Sequence, residues 1–196
     1  MEIDSALCVA GAICAVGFSA AGSAIGIGKA ACAAIGAWKK CYAQNKQAPY
    51  ILFSYVGAPL TQTLYGMILM FVILGLVGNC IPGAGVAAVI LGIFAGVGIG
   101  ASAAMQGQAA AGAADSQAET GKGLANNMAA LGVVETVAIF VMVFAMIAIG
   151  SLKPAKAEAE AAEPPAVEQA AEAADAPAET PAAAEATTKA IGIGTL

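Results

Sequence analysis

Four long apolar stretches, at 5–37, 49–78, 84–114 and 124–152, leave this chain very few ways to fold. Each exceeds the roughly 20 residues that a helix needs to cross a bilayer. Within lipid a single segment can satisfy its own backbone hydrogen bonds only as a helix. The excess length predicts tilt, or ends that project beyond the hydrocarbon. Composition points the same way: 60% of the residues are hydrophobic, 24 are Gly and none is His, with a mean hydropathy of +0.82. The expected fold is an all-α membrane protein with four transmembrane helices.

The charges are few and unevenly placed. Residues 1–152 carry Glu2, Asp4, Asp115, Glu119 and Glu135 against Lys29, Lys39, Lys40, Lys46 and Lys122, so the formal charge of -5 resides in 153–196. Nothing forms a basic stripe, which excludes a nucleic-acid partner from the expectation. Lys39, Lys40 and Lys46 crowd the polar loop 38–48. The positive-inside rule then places loops 38–48 and 115–123 in the cytoplasm and both termini outside a multi-pass cell-membrane protein. Glu2 and Asp4 precede the first apolar stretch, where a secretory signal would be positive, so cleavage is not expected. The five cysteines show no CxxC spacing and mostly lie inside apolar runs, where they read as small hydrophobes. The 153–196 segment, rich in Ala, Glu and Pro, reads as a disordered acidic tail. Its closing AIGIG (190–194) echoes AIGIG (24–28).

The chain repeats itself. GKAACA (28–33) resembles GQAAAG (107–112), each ending a Gly-rich stretch before a polar loop and a second apolar stretch. Two fused helical hairpins follow, 1–80 and 81–152, joined by a tight turn at Pro82 and Gly83. Gly22 and Gly26 in the first span, and Gly92, Gly96 and Gly100 in the third, form four-residue stripes that let helix backbones approach closely in lipid. Spans one and three are therefore expected inside and spans two and four, with Leu69, Phe71, Phe140 and Phe144, outside. Spacing does not separate a plain four-helix bundle from a ring of copies.

Glu135 is the one acidic residue deep in any apolar stretch. An ionised side chain there costs about 2.5 to 3.5 kcal/mol on insertion scales. Protonation, or a bound cation, relieves that cost, which points to a site that takes up and releases an ion; the competing reading is a carboxyl kept for packing specificity. Thr61, Gln62 and Tyr65 share one helical face at about 100° per residue, and overlaying the hairpins sets Gln62 opposite Glu135. Pro59 lacks an N–H, disturbs the Tyr55 carbonyl and loosens the local ladder so that backbone oxygens can turn to a ligand. Gln106 supplies another amide at similar depth. Carboxylate, amide and hydroxyl oxygens suit a hard monovalent cation, whereas a proton needs Glu135 alone.

PLTQTLYG (59–66), MQGQAAAG (105–112) and VETVAI (134–139) resemble the motifs of helices 2, 3 and 4 of the proteolipid (K or c) subunit of V-type (V/A-type) rotary ATPases, over residues 1–152. The resemblance implies a non-catalytic subunit whose copies form a rotor ring, loading and unloading an ion at Glu135. It further implies a stator membrane subunit with a positively charged side chain and a central-stalk subunit at 38–48. Sodium-transporting members imply Na+, with H+ as the alternative, held by Glu135, Thr61, Gln62, Gln106 and the Ala58 carbonyl, with Tyr65 bonded to the Glu. The tail departs from the family's pattern. Two other classes remain open: a proton-coupled small-molecule exporter, and a structural or pore-forming proteolipid that would tolerate Glu135→Gln.

Overall fold

The computed structural model describes residues 2–154. Over these the chain forms α1 (Glu2–Ala43), α2 (Leu52–Gly57), a 3-10 turn (Ala58–Leu60), α3 (Thr61–Leu74), α4 (Ala84–Thr120) and α5 (Leu124–Gly150). The expected tail and its AIGIG echo lie outside the described residues, apart from Lys153 and Pro154. Because α2, the turn and α3 make one span, four helices are long and apolar enough to cross a membrane, Glu2–Ala43, Leu52–Leu74, Ala84–Thr120 and Leu124–Gly150. By length and composition this is a membrane protein.

Two helices outrun their apolar stretches. α1 continues to Ala43 and α4 to Thr120, so the polar loop expected at 115–123 shrinks to a turn around Gly121, Lys122 and Gly123. Half of the added residues are Ala, Lys, Gln or Glu, which favour helix, so a change of polarity did not stop the backbone. What stops α4 is Gly121, whose φ of 67° suits glycine and whose N–H donates to the Gln117 carbonyl at 2.9 Å. Across the two extensions Lys40 Nζ pairs with Asp115 Oδ1 at 3.0 Å and Glu119 Oε1 at 3.5 Å.

α1 and α4 lie side by side and parallel, backbone against backbone. A Cβ on Gly22 would strike the Gly100 backbone, one on Gly107 would strike Gly26, and one on Gly96 would sit 2.9 Å from the Ala15 carbonyl oxygen. Lys29 Nζ donates to Gln108 Oε1 at 3.4 Å across 79 residues, the same offset that aligns Gly28 with Gly107 in the repeat. Positions aligned by that repeat thus stand at one level in α1 and α4. The glycine stripes serve the contact expected of them. α3 packs on α1 at Gly66, where a Cβ would come 2.5 Å from the Ser19 side chain. α5 packs on α4 and leaves Val133, Phe140 and Phe144 exposed at 71%, 61% and 66%.

At the N-terminal end of α1, Asp4 accepts a hydrogen bond from Gly85 N–H at 3.2 Å. It thereby satisfies one of the donors that the first turn of α4 cannot pair internally, and it places negative charge at the positive end of that helix dipole. Two apolar clusters fill the interior. One includes Cys8, Ala12, Leu69, Ile73 and Ile149; the other includes Ala34, Leu52, Tyr55, Ala110 and Leu131. Of the buried polar side chains, Ser19, Ser23, Gln62, Ser102 and Gln106 lie along the helices between the two.

Candidate functional site

Pro59 shapes the approach to this polar layer. Without an N–H it cannot bond back to the Tyr55 carbonyl, and the chain tightens into the 3-10 turn before α3 resumes at Thr61. The carbonyl that meets a site side chain is that of Ala58, which accepts from Thr61 Oγ1 at 3.1 Å. The sequence had singled out Tyr55 for its carbonyl, but the structure employs its hydroxyl, at the far end of the bundle. There Asn127 Nδ2 donates to Tyr55 Oη at 3.2 Å, and Tyr55 Oη donates to Gln117 Oε1 at 3.5 Å.

From Thr61 a continuous chain of contacts crosses to α4 and α5. Thr61 Oγ1 lies 3.2 Å from Gln62 Oε1, and Gln62 Nε2 donates to Gln106 Oε1 at 2.8 Å. Gln106 Nε2 donates to the Leu131 carbonyl at 3.0 Å and to Glu135 Oε2 at 3.3 Å. Tyr65 Oη closes the chain by donating to Glu135 Oε1 at 2.7 Å. Thr61, Gln62, Tyr65, Gln106 and Glu135, to which the residues themselves pointed, and Ala58, which the resemblance alone implied, thus stand in one network across α3, α4 and α5. Gln62 and Gln106 are both 0% exposed, and Glu135 is partly buried.

The Thr61 hydroxyl is shared between two acceptors, the Ala58 carbonyl and Gln62 Oε1; it has one proton, so one of them receives nothing from it. Both protons of the Gln106 amide are committed, to Leu131 and Glu135. Glu135 receives neutral donors on each oxygen. Carbonyl, hydroxyl, amide and carboxylate oxygens thus converge in one layer, the donor chemistry that a small cation of oxygen preference takes. Among the described residues no three His, Cys, Asp or Glu side chains gather as a metal cluster; the oxygens here come mainly from amides, a hydroxyl and a carbonyl.

No protein-family model matches the chain, and no curated protein matches it either. The functional reading accordingly stands on the residues and their arrangement.

Several participants were not read from the sequence. The Leu131 carbonyl is a main-chain acceptor and leaves no trace in residue identity. Ser102 Oγ donates to the Val134 carbonyl at 2.8 Å, pinning the turn of α5 just before Glu135 onto α4. Ser102 precedes Gln106 by one helical turn, so that signal was available. The Tyr55, Gln117 and Asn127 cluster joins residues too far apart in sequence to suggest one another.

Proposed function

We propose that this chain is the ion-carrying subunit of a V-type rotary ATPase rotor ring, taking up and releasing Na+ at Glu135, with H+ as the alternative cargo. The observation that carries the reading is the convergence of amide, hydroxyl and carbonyl oxygens on a single carboxylate held by neutral donors amid four apolar helices. An occupied site is neutral and can face lipid; a bare carboxylate there costs several kcal/mol, on the order of the insertion penalty for a central charge. That difference lets a loaded subunit turn through lipid and holds an empty one near water or an opposing charge. A positively charged side chain on a stator subunit would draw the ion off, and the site would refill from the other aqueous side. The subunit hydrolyses nothing itself; the Lys-rich 38–48 region meets a central stalk on the cytoplasmic side, and other copies of the chain complete the ring. With one carboxylate per four helices, each turn moves few ions, which favours pumping against a steep gradient.

Labelling of Glu135 by a carbodiimide, which attacks a protonated carboxyl in apolar surroundings, tests this in purified membranes. Millimolar sodium at fixed pH and ionic strength is expected to slow the reaction. Labelling that follows pH and ignores sodium would replace sodium by the proton, and no labelling at all would leave Glu135 a packing residue. Thr61→Ala removes one oxygen of the set. Losing one such ligand costs on the order of 1.4 kcal/mol, so the sodium concentration giving half-protection should rise about tenfold while turnover at saturating sodium is retained. Unchanged sodium dependence in this variant would remove Thr61 from the ligand set.

A further inference from the structure

Ser23 is the one buried side chain among the described residues whose polar atom has no hydrogen-bond partner. It is 2% exposed. A serine in a helix ordinarily turns its hydroxyl back to the carbonyl one turn earlier, as Ser19 does to Ala15 at 2.7 Å; Ser23 does not. Its position follows from the packing of α1 on the second span. Gly66 faces Ser19, and Gly26 faces Pro59, where a Cβ would come 2.9 Å from the Pro59 side chain. Ser23 lies one turn after Ser19 and one turn before Gly26, while Gln62 lies one turn after Pro59 and one turn before Gly66. The antiparallel register therefore sets Ser23 level with Gln62.

Gln62 has a reason to need a second partner. Its Nε2 donates to Gln106 Oε1 at 2.8 Å, and a cation bound to that same oxygen would compete with, and repel, the positive N–H end of the Gln62 amide. We propose that Ser23 is a positioning residue for the cation site: its Oγ receives the Gln62 N–H that an arriving cation displaces from Gln106, and so holds Gln62 Oε1 toward the ion. This rests on the sodium-binding reading above. Protonation of Glu135 displaces nothing at Gln106 Oε1, so Ser23 should favour sodium without affecting the proton.

The test is carbodiimide labelling of Glu135 in membranes bearing the full chain, titrated with sodium and, separately, with pH in its absence. Ser23→Ala keeps the helix and removes only the hydroxyl. It should raise the half-protecting sodium concentration about tenfold and leave the sodium-free pH profile unmoved. In a Gln62→Ala background the same change should add nothing, because Ser23 acts through Gln62. An unchanged sodium titration, an equal shift of the pH profile, or a full tenfold effect without Gln62 would each overturn the proposal. If the unsubstituted protein shows no sodium protection, the sodium reading itself has failed, an outcome distinct from a protected parent with an indifferent Ser23→Ala. Ser23→Cys, close in size but a weaker acceptor, should fall between the two; parity with the parent would also count against it.

Discussion

Glu135→Gln is expected to abolish ion transport by the assembled complex and to remove carbodiimide labelling altogether. Glutamine nearly matches the glutamate in shape, and its amide can still meet Tyr65 Oη and Gln106 Nε2, which now donate to the carboxylate at 2.7 Å and 3.3 Å. The four helices should stay folded. What disappears is the ability to alternate between a charged and a neutral form, because a primary amide neither binds a proton at neutral pH nor balances the charge of a cation. Transport measured as ATP-driven sodium or proton uptake into vesicles should fall at least about 100-fold, well beyond the roughly 1.4 kcal/mol per factor of ten expected for a lost neutral ligand. Retained transport would sink the ion-carrier reading and restore the structural one.

The second large effect lies in the fold. Gly22→Val should destabilise the chain by about 3 kcal/mol, the upper end of the usual cost of overpacking, because the Gly100 backbone occupies the space that a side chain needs. Relief requires α1 and α4 to separate, which breaks their contact along the glycine stripe and loosens the register that keeps the hairpins level. In lipid such contacts are the main force between helices, since apolar side chains gain little by leaving the hydrocarbon for each other. Unfolding in a detergent series should show the loss as a lowered midpoint. Gly17, an α1 glycine with open space at its Cβ, supplies the comparison: Gly17→Ala meets nothing and gains helix propensity, so it should not lower the midpoint, and equal losses at both sites would mean that close backbone approach at Gly22 is not what sets the stability.

The four spans were legible because lipid leaves an apolar run so few options. Helix ends were less legible: α4 runs on through Asp115 to Thr120 because composition marks where polarity changes, whereas a left-handed glycine marks where the backbone turns. The side chains of the site were readable from their cost, since Glu135, Gln62 and Gln106 are expensive in an apolar span and a shared depth drew them together. Their partners were not. The Leu131 and Ala58 carbonyls are available at every residue type, and only the packing of α4 on α5 and the break at Pro59 select them. Ser23 was hidden for a different reason, because a small hydroxyl among Gly and Ala looks like one more member of the stripe.

The unequal lengths of the helices have a mechanical consequence. α1 and α4 contain 42 and 37 residues, about 63 and 56 Å at 1.5 Å per residue, against a hydrocarbon thickness of about 30 Å. They are joined backbone to backbone along their glycines and clasped by Lys40 near their C-terminal ends. Two rods bonded along their length resist bending far more than either rod alone. Within residues 2–154, α1 and α4 are in that sense a stiff double mast with two shorter stays, so a load on the lysine-bearing end is carried along the pair to the level of Glu135 with little lost to flexure.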